Sequence, residues 1–282
     1  MFMTRLEFRQ RFVQALSTLY DGREVQALFR RYVEERLGIE YYLFLLDMAV
    51  LADLPDGWET DLVRLASGEP FQYVMGRTEF CGLSFKVTPA VLIPRPETEE
   101  LVATIISENA GRTGLSVLDV GTGSGAIAVS LAKKLPDAAV TALDVSEDAL
   151  SVASENAEAN NVSVRFLKFD ILDNAPLPGR YDIVVSNPPY VPERDRAGMH
   201  RNVLEHEPAL ALFVPDDHPL LFYKAIAEKA STALNPGGRL YLETHEDYHP
   251  ELKQLLENYG FVDTRCLNDF FGHPRFVMGR LN

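Results

Sequence analysis

Four consecutive residues, Asn187-Pro188-Pro189-Tyr190, follow directly on an apolar run that ends at Ser186. Two prolines hold the backbone rigid and leave their carbonyls without competing neighbouring donors. Asn187 Oδ1 and the Pro188 carbonyl could then both accept from one planar NH2 group. Tyr190 would offer a flat face for stacking. Such a corner suits recognition of an amide or an exocyclic amine. Taken alone, the same residues also fit a Pro-Pro turn with a core tyrosine, or a polyproline ligand for another protein.

A second constellation, Gly121-Thr122-Gly123-Ser124-Gly125, stands between a strand-like run and a helical one. Absent Cβ atoms permit a tight turn there and let a ligand approach the backbone. The spacing is Gly-x-Gly-x-Gly, with Asp119 two residues upstream. An acidic acceptor beside the turn suits a ligand carrying an ammonium group better than a pyrophosphate. Asp144 ends the next strand, a position from which a carboxylate accepts the hydroxyls of a ribose. Asp170 closes the third strand and could accept from an adenine amino group, with Ile171 packing on the ring.

The elements that must place these residues read as an α/β domain. Runs at 115–120, 139–145, 162–169, 181–186 and 239–244 look like strands, alternating with helices at 126–134, from the Ser146 cap to Asn160, and at 220–234. Strand-helix alternation at this spacing predicts a mostly parallel, doubly wound sheet, whose ligands sit at the carboxyl ends of the strands. Two final runs, 261–267 and 275–281, suit an antiparallel pair at the sheet edge. Ahead of this, residues 4–66 are helical throughout, with Leu6, Phe8, Phe12, Leu16 and Leu19 at near-helical spacing, and the aromatics there read as core. From Gly68 the alternation of Phe71, Tyr73, Val74, Phe80, Leu83 and Phe85 suits a β-hairpin. The expected division is a helical bundle at 1–70, a β-hairpin linker at 71–96 and an α/β domain at 97–282.

Composition narrows the function. The 282 residues are 46% hydrophobic and 24% charged, enough for a substantial core and about two domains. No window approaches the ~20 apolar residues of a spanning helix, and the first residues lack a leader pattern, so the expectation is a cytoplasmic protein with no membrane partner. Cys81 and Cys266 are too few and too far apart for a disulfide framework or zinc cluster, and no metal is expected. The formal net charge is −14, and neither residues 1–84 nor 85–282 carry a basic excess. That field repels a phosphate backbone, which disfavours direct nucleic-acid binding.

Several stretches together carry a resemblance: Gly68-Glu-Pro-Phe-Gln-Tyr to Phe80-x-Gly-x-x-Phe, Ile93-Pro-Arg-Pro-Glu-Thr-Glu-Glu-Leu101, Asp119 to Gly125, Asp144, Asn187 to Tyr190, and Glu205-His-Glu-Pro-Ala-Leu-Ala-Leu212. In that order over residues 68–282 they resemble the release factor glutamine methyltransferases, the PrmC/HemK family. The resemblance implies a small N-terminal helical domain, a hairpin linker and a Rossmann-like, seven-stranded class I methyltransferase domain with antiparallel C-terminal edge strands. It further implies S-adenosylmethionine-dependent methylation of the side-chain amide nitrogen of the glutamine in the Gly-Gly-Gln loop of peptide chain release factors, with S-adenosylhomocysteine as product. By the same resemblance Gly121, Thr122, Gly123, Ser124 and Gly125 hold the methionine portion and Asp144 the ribose. Ile171 falls where the family often has a larger residue beside the adenine. Asn187 with the Pro188-Pro189-Tyr190 backbone would grip the glutamine amide, and the helical front end would dock the protein substrate.

Two related activities compete with this one. A base amino-methyltransferase faces the same NH2 problem with a flipped nucleotide, but the charge opposes it. A ribosomal-protein glutamine methyltransferase usually carries Pro-Arg-Ser-Pro where this chain has Pro94-Arg95-Pro96-Glu97-Thr98. A third possibility is a cofactor-binding interaction protein without transfer activity, which the intact Asn187 opposes.

Overall fold

Helix starts in the first part of the chain are set by side chains that satisfy the otherwise unpaired N-terminal N–H groups. The computed structural model describes residues 3–282. Thr4 and Glu7 form a reciprocal capping box on α1 (Arg5–Leu16), and Asp21 and Glu24 do the same on α2 (Gly22–Arg36). The helices α3 (Tyr41–Leu46), α4 (Trp58–Ala66) and α5 (Phe71–Met75) follow. Residues 1–76 together with 200–206, which carry α9 (Arg201–His206), form one compact unit. Its core is aromatic: Phe8, Phe12, Phe29, Tyr32 and Phe44 are buried, and the Phe12 and Phe29 rings meet edge to face at 5.1 Å. One buried carboxylate, Asp61, accepts from Tyr32 Oη at 2.9 Å and Arg36 Nε at 2.8 Å, so its charge is paired.

Residues 71–75 depart from the strand expected of them. Pro70 precedes α5, and Phe71, Tyr73 and Val74 turn inward from a single helical turn rather than from one face of a strand. The hairpin itself is shorter, β1 (Arg77–Phe80) and β2 (Leu83–Lys86), closed by Cys81 and Gly82 at φ +51° and +72°. Two successive positive φ values are the tight turn whose twist matches antiparallel strands. It packs into the second unit, residues 77–199 and 207–282, through the buried rings of Phe80 and Phe85.

That second unit is built in order from β1, β2, α6 (Pro96–Glu108), β3 (Ser116–Val120), α7 (Ala126–Lys134), β4 (Ala139–Asp144), α8 (Glu147–Ala159), β5 (Val164–Lys168), β6 (Tyr181–Ser186), β7 (Val191–Pro192), β8 (Phe213–Val214), α10 (Leu221–Ala233), β9 (Leu234–Glu243), α11 (His249–Asn258), β10 (Phe261–Asn268) and β11 (Pro274–Leu281). Seven strands form one mixed sheet in the order β10-β11-β9-β6-β3-β4-β5. The last strand enters between β9 and β10 and runs antiparallel to both, so β10 rather than β11 is the edge. The remaining pairs are parallel. Alternate residues face two separate cores: Val117, Ile183, Val185 and Tyr241 pack with α6 and α7, while Leu118, Val184, Leu240 and Leu242 pack with α10 and α11. By the same parity Asp119 and Glu243 point to the α6 and α7 side. The chain leaves β3 toward β4 and β5, then returns to β6 and β9, so the switch in strand order lies between the carboxyl ends of β3 and β6.

Candidate active site

A cavity of about 330 Å³ opens at that switch point. Its floor is the turn after β3. Gly121 and Thr122 N–H groups both donate to the Leu143 carbonyl at 2.9 Å, which pins the turn to β4. Gly121 and Gly123 line the cavity at φ +74° and +55°, and a Cβ at either would meet nothing within 4 Å. Their bare backbone faces open space, where a ligand can lie against it. Gly125 is different: a Cβ there would come within 3.0 Å of Ala153 Cβ on α8, so this glycine allows two helices to pack and does not line the cavity.

Asp119 supports the turn from beneath. Its Oδ2 accepts from Thr122 Oγ1 at 2.6 Å and from the Ala128 N–H at 3.2 Å. Gly125, the residue before α7, has no side chain to cap that helix, and Asp119 performs the task from the neighbouring strand. Burial is complete and pushes its carboxyl up to about 7, and Oδ1 has no hydrogen-bond partner among the described residues. Asp119 is not on the cavity wall. The direct acceptor role expected for it toward an ammonium group is therefore not what this geometry provides.

Asp144 does reach the cavity. Its Oδ2 accepts from Gly123 N–H at 2.9 Å and its Oδ1 from Ser146 N–H at 3.0 Å, which aims the carboxylate across the glycine turn. Burial pushes its pKa up, and the backbone donors oppose that shift. Ser146 also caps α8 through Ala149 N–H, as its position before the helix predicts. Phe169, Asp170 and Ile171 follow β5 and line the next part of the wall, with Asp170 Oδ1 held by Leu172 N–H at 2.9 Å. Asn156 of α8 donates to the carbonyls of Ser124 and Lys86, both at 2.9 Å, and so ties the turn to the hairpin.

The opposite wall is the corner after β6. Ser186 Oγ donates to the Val120 carbonyl at 2.6 Å, fixing this strand end to β3, and Asn187, Pro188 and Pro189 then line the cavity. Asn187 Nδ2 donates to Thr98 Oγ1 at 3.2 Å, and Thr98 Oγ1 donates to Glu243 Oε2 at 2.6 Å. Tyr190 turns away from the cavity. Its hydroxyl donates to Glu243 Oε1 at 3.2 Å and its ring lies edge-on to His245, so the stacking face expected of it is spent on internal packing. Complete burial pushes the Glu243 carboxyl up to about 7, and Arg275 pulls the other way.

Four contributors are not legible in the sequence as individual residues. Thr98 and Arg95 line the cavity from the start of α6, and Glu207 is buried while accepting from Ile93 N–H at 3.1 Å and Arg95 Nη2 at 2.7 Å. Glu243 is the fourth hidden participant. Its available signal was a charged residue ending the apolar run Leu240-Tyr241-Leu242, at the end of a central parallel strand where such sheets bind ligands. Among the described residues no group of acidic, histidine and cysteine side chains has the makings of a metal site, and no helix is long and apolar enough to cross a membrane.

Comparison with known proteins agrees with this layout. The family model for the methyltransferase small domain matches residues 97–209. The release factor glutamine methyltransferase of Flavobacterium psychrophilum is 44% identical over 279 residues, 96% of each chain. Those of Bacteroides thetaiotaomicron and Streptococcus pneumoniae are 44% and 42% identical, covering 94% and 91% of this chain and 95% and 92% of theirs. Among solved structures, a methyltransferase from Pyrococcus furiosus covers 79% of this chain and 98% of its own at 21% identity and a TM-score of 0.51. The 16S rRNA N2 G1207 methyltransferase of Thermus thermophilus, solved with AdoMet and guanosine, covers 73% and 50% at 22% identity and a TM-score of 0.53. These two likenesses speak to the fold, whereas the identity kept along almost the whole length of the three relatives places this chain in the release factor glutamine methyltransferase family.

Proposed function

We propose that this protein transfers a methyl group from S-adenosylmethionine to the side-chain amide nitrogen of the glutamine in the Gly-Gly-Gln loop of peptide chain release factors. The observation that carries this reading is the orientation of Asn187: its Nδ2 is committed to Thr98, so its Oδ1 is the end left to accept from a substrate NH2. The cavity suits the cofactor on this chain's own geometry. Gly121 and Gly123 present bare backbone to open space for the methionine portion, with Thr122 and Ser124 lining the same turn, Asp144 offers carboxylate oxygens to the ribose hydroxyls, and Asp170 with Ile171 and Phe169 suits the adenine. Bound there, the cofactor would supply a methyl on a sulfonium sulfur, and that sulfur would keep the electron pair of the C–S bond when the nitrogen lone pair forms the N–C bond.

The chain's residues then have one principal task, orientation. An amide lone pair is delocalised into its carbonyl, and its N–H is too weakly acidic for any side chain to deprotonate first. Asn187 Oδ1 and the Pro188 carbonyl accept from the two N–H bonds, hold the nitrogen facing the methyl, and stabilise the positive charge that develops on it. Positioning of this kind supplies on the order of 7–11 kcal/mol of a barrier. Once the nitrogen is alkylated its proton is strongly acidic and departs without a dedicated base. The first unit would serve as the docking surface for the release factor, with α3 presenting Tyr42, Leu43, Leu45 and Leu46 to solvent. The substrate places the reaction in the cytoplasm, where translation terminates.

Incubation with labelled cofactor and separate purified release factors, ribosomal proteins and DNA tests the proposal. Label on the Gly-Gly-Gln glutamine, located by mass spectrometry, is the expected result. Label confined to a ribosomal protein or to DNA would replace this reading with one of its rivals.

A further inference from the structure

An asparagine amide has nearly isosteric ends, so shape alone does not decide which end faces a ligand. Chemistry decides it here. Glu243 is fully buried on β9, and both of its oxygens accept here: Oε1 takes the Tyr190 hydroxyl and Oε2 the Thr98 hydroxyl. Thr98 has one proton. With that proton on Glu243, its oxygen is left as an acceptor, and the only end of the Asn187 amide that can meet it is the NH2. The oxygen of Asn187 is thereby turned to the cavity.

We propose that Thr98 and Glu243 are positioning residues for methyl transfer, a relay that fixes the polarity of the Asn187 amide so that it presents an acceptor to the substrate nitrogen. This rests on the function proposed above, in which Asn187 receives the glutamine NH2. Both groups are buried and all three side chains come from different elements, α6, β9 and the corner after β6, so the relay also holds the corner against the helix. Reversing the amide would aim NH2 at NH2 and leave the substrate nitrogen with the Pro188 carbonyl as its one acceptor at this corner.

The test uses the full-length protein, labelled S-adenosylmethionine and intact release factor. Thr98→Val keeps the shape but removes donor and acceptor. It is expected to lower kcat about tenfold, leave the KM for release factor within about threefold, and leave cofactor affinity by calorimetry unchanged. Thr98→Ser should restore most of kcat. Combined with Asn187→Ala, Thr98→Val should cost nothing further, because it acts through the side chain already removed. A Thr98→Val enzyme with wild-type kcat, or one whose effect adds fully to that of Asn187→Ala, would overturn the relay. If Thr98→Val fails to fold, Glu243→Gln against Glu243→Met decides. Gln still accepts from Thr98 and should keep most of kcat, Met cannot and should lose about tenfold, and equal rates would overturn the proposal. Wild-type kcat in Asn187→Ala alone would instead sink the underlying reading of the site.

Discussion

Two carboxylates, Asp119 and Glu243, occupy matching places on the same face of the sheet, at or near the carboxyl ends of β3 and β9. Both are fully buried, both accept a threonine hydroxyl at 2.6 Å, and burial pushes both up to about 7. What they hold differs. Asp119 grips backbone and a backbone-anchored turn: the Thr122 hydroxyl and the Ala128 N–H in the first turn of α7. Glu243 grips side chains, and its influence ends on a rotatable amide. The same buried acceptor therefore shapes a cradle on one side of the cavity and sets the polarity of a single functional group on the other. The first task concerns affinity, the second rate.

That contrast is open to direct attack. Asn187→Ala should give the largest effect, a loss in kcat of at least ~10²-fold with cofactor affinity retained, as for removal of a group that acts in the transition state. Loss of cofactor affinity in its place would dissolve the division between the two walls. Asp119→Leu should do the reverse: about tenfold weaker cofactor binding by calorimetry, and about 1–3 kcal/mol less stability in urea because Ala128 N–H and Thr122 lose their acceptor, with kcat at saturating cofactor little changed. A third consequence concerns pH. Both folded carboxyls titrate above their ordinary values, so the stability they contribute is full below about pH 4 and is lost as the pH rises through about 7. Between pH 5 and 8 the melting temperature of the wild type should therefore fall by a few degrees more than that of Asp119→Asn or Glu243→Gln. Parallel curves would mean that burial raises neither carboxyl in the folded protein. The smallest effect belongs to the first unit. Tyr42→Ser with Leu46→Ser, both exposed on α3, should raise the KM for release factor about threefold without altering cofactor affinity, and an unchanged KM would remove α3 as the docking surface.

How far the site could be read in advance follows the same contrast. Glycines and prolines announce backbone geometry locally, so the turn after β3, the carboxylate after β4 and the corner after β6 were legible in the sequence, as was the helical periodicity that buries Phe8, Phe12 and Leu16. The Thr98–Glu243 contact spans 145 positions and only the folded sheet joins it. Asp119 looks like a ligand in the sequence because its neighbours are ligand-like, whereas the lack of a side-chain cap at Gly125 before α7 gives it a structural task. Tyr190 misled in a similar way, its ring being packed and its hydroxyl occupied. The five residues of α5 alternate well enough to pass for a strand, and over so short a span periodicity does not separate the two. The antiparallel pair at the sheet edge was legible in the two final runs, but which of them lies outermost depends on strand pairing that no local pattern encodes.

The most direct measurement is a crystal structure with S-adenosylhomocysteine and a Gly-Gly-Gln peptide bound. The account predicts the glutamine nitrogen at about 2.7–3.2 Å from both Asn187 Oδ1 and the Pro188 carbonyl, facing the cofactor sulfur, with the Thr98 contact to Asn187 kept. A glutamine bound with its carbonyl oxygen against Asn187, or away from the corner altogether, would contradict it.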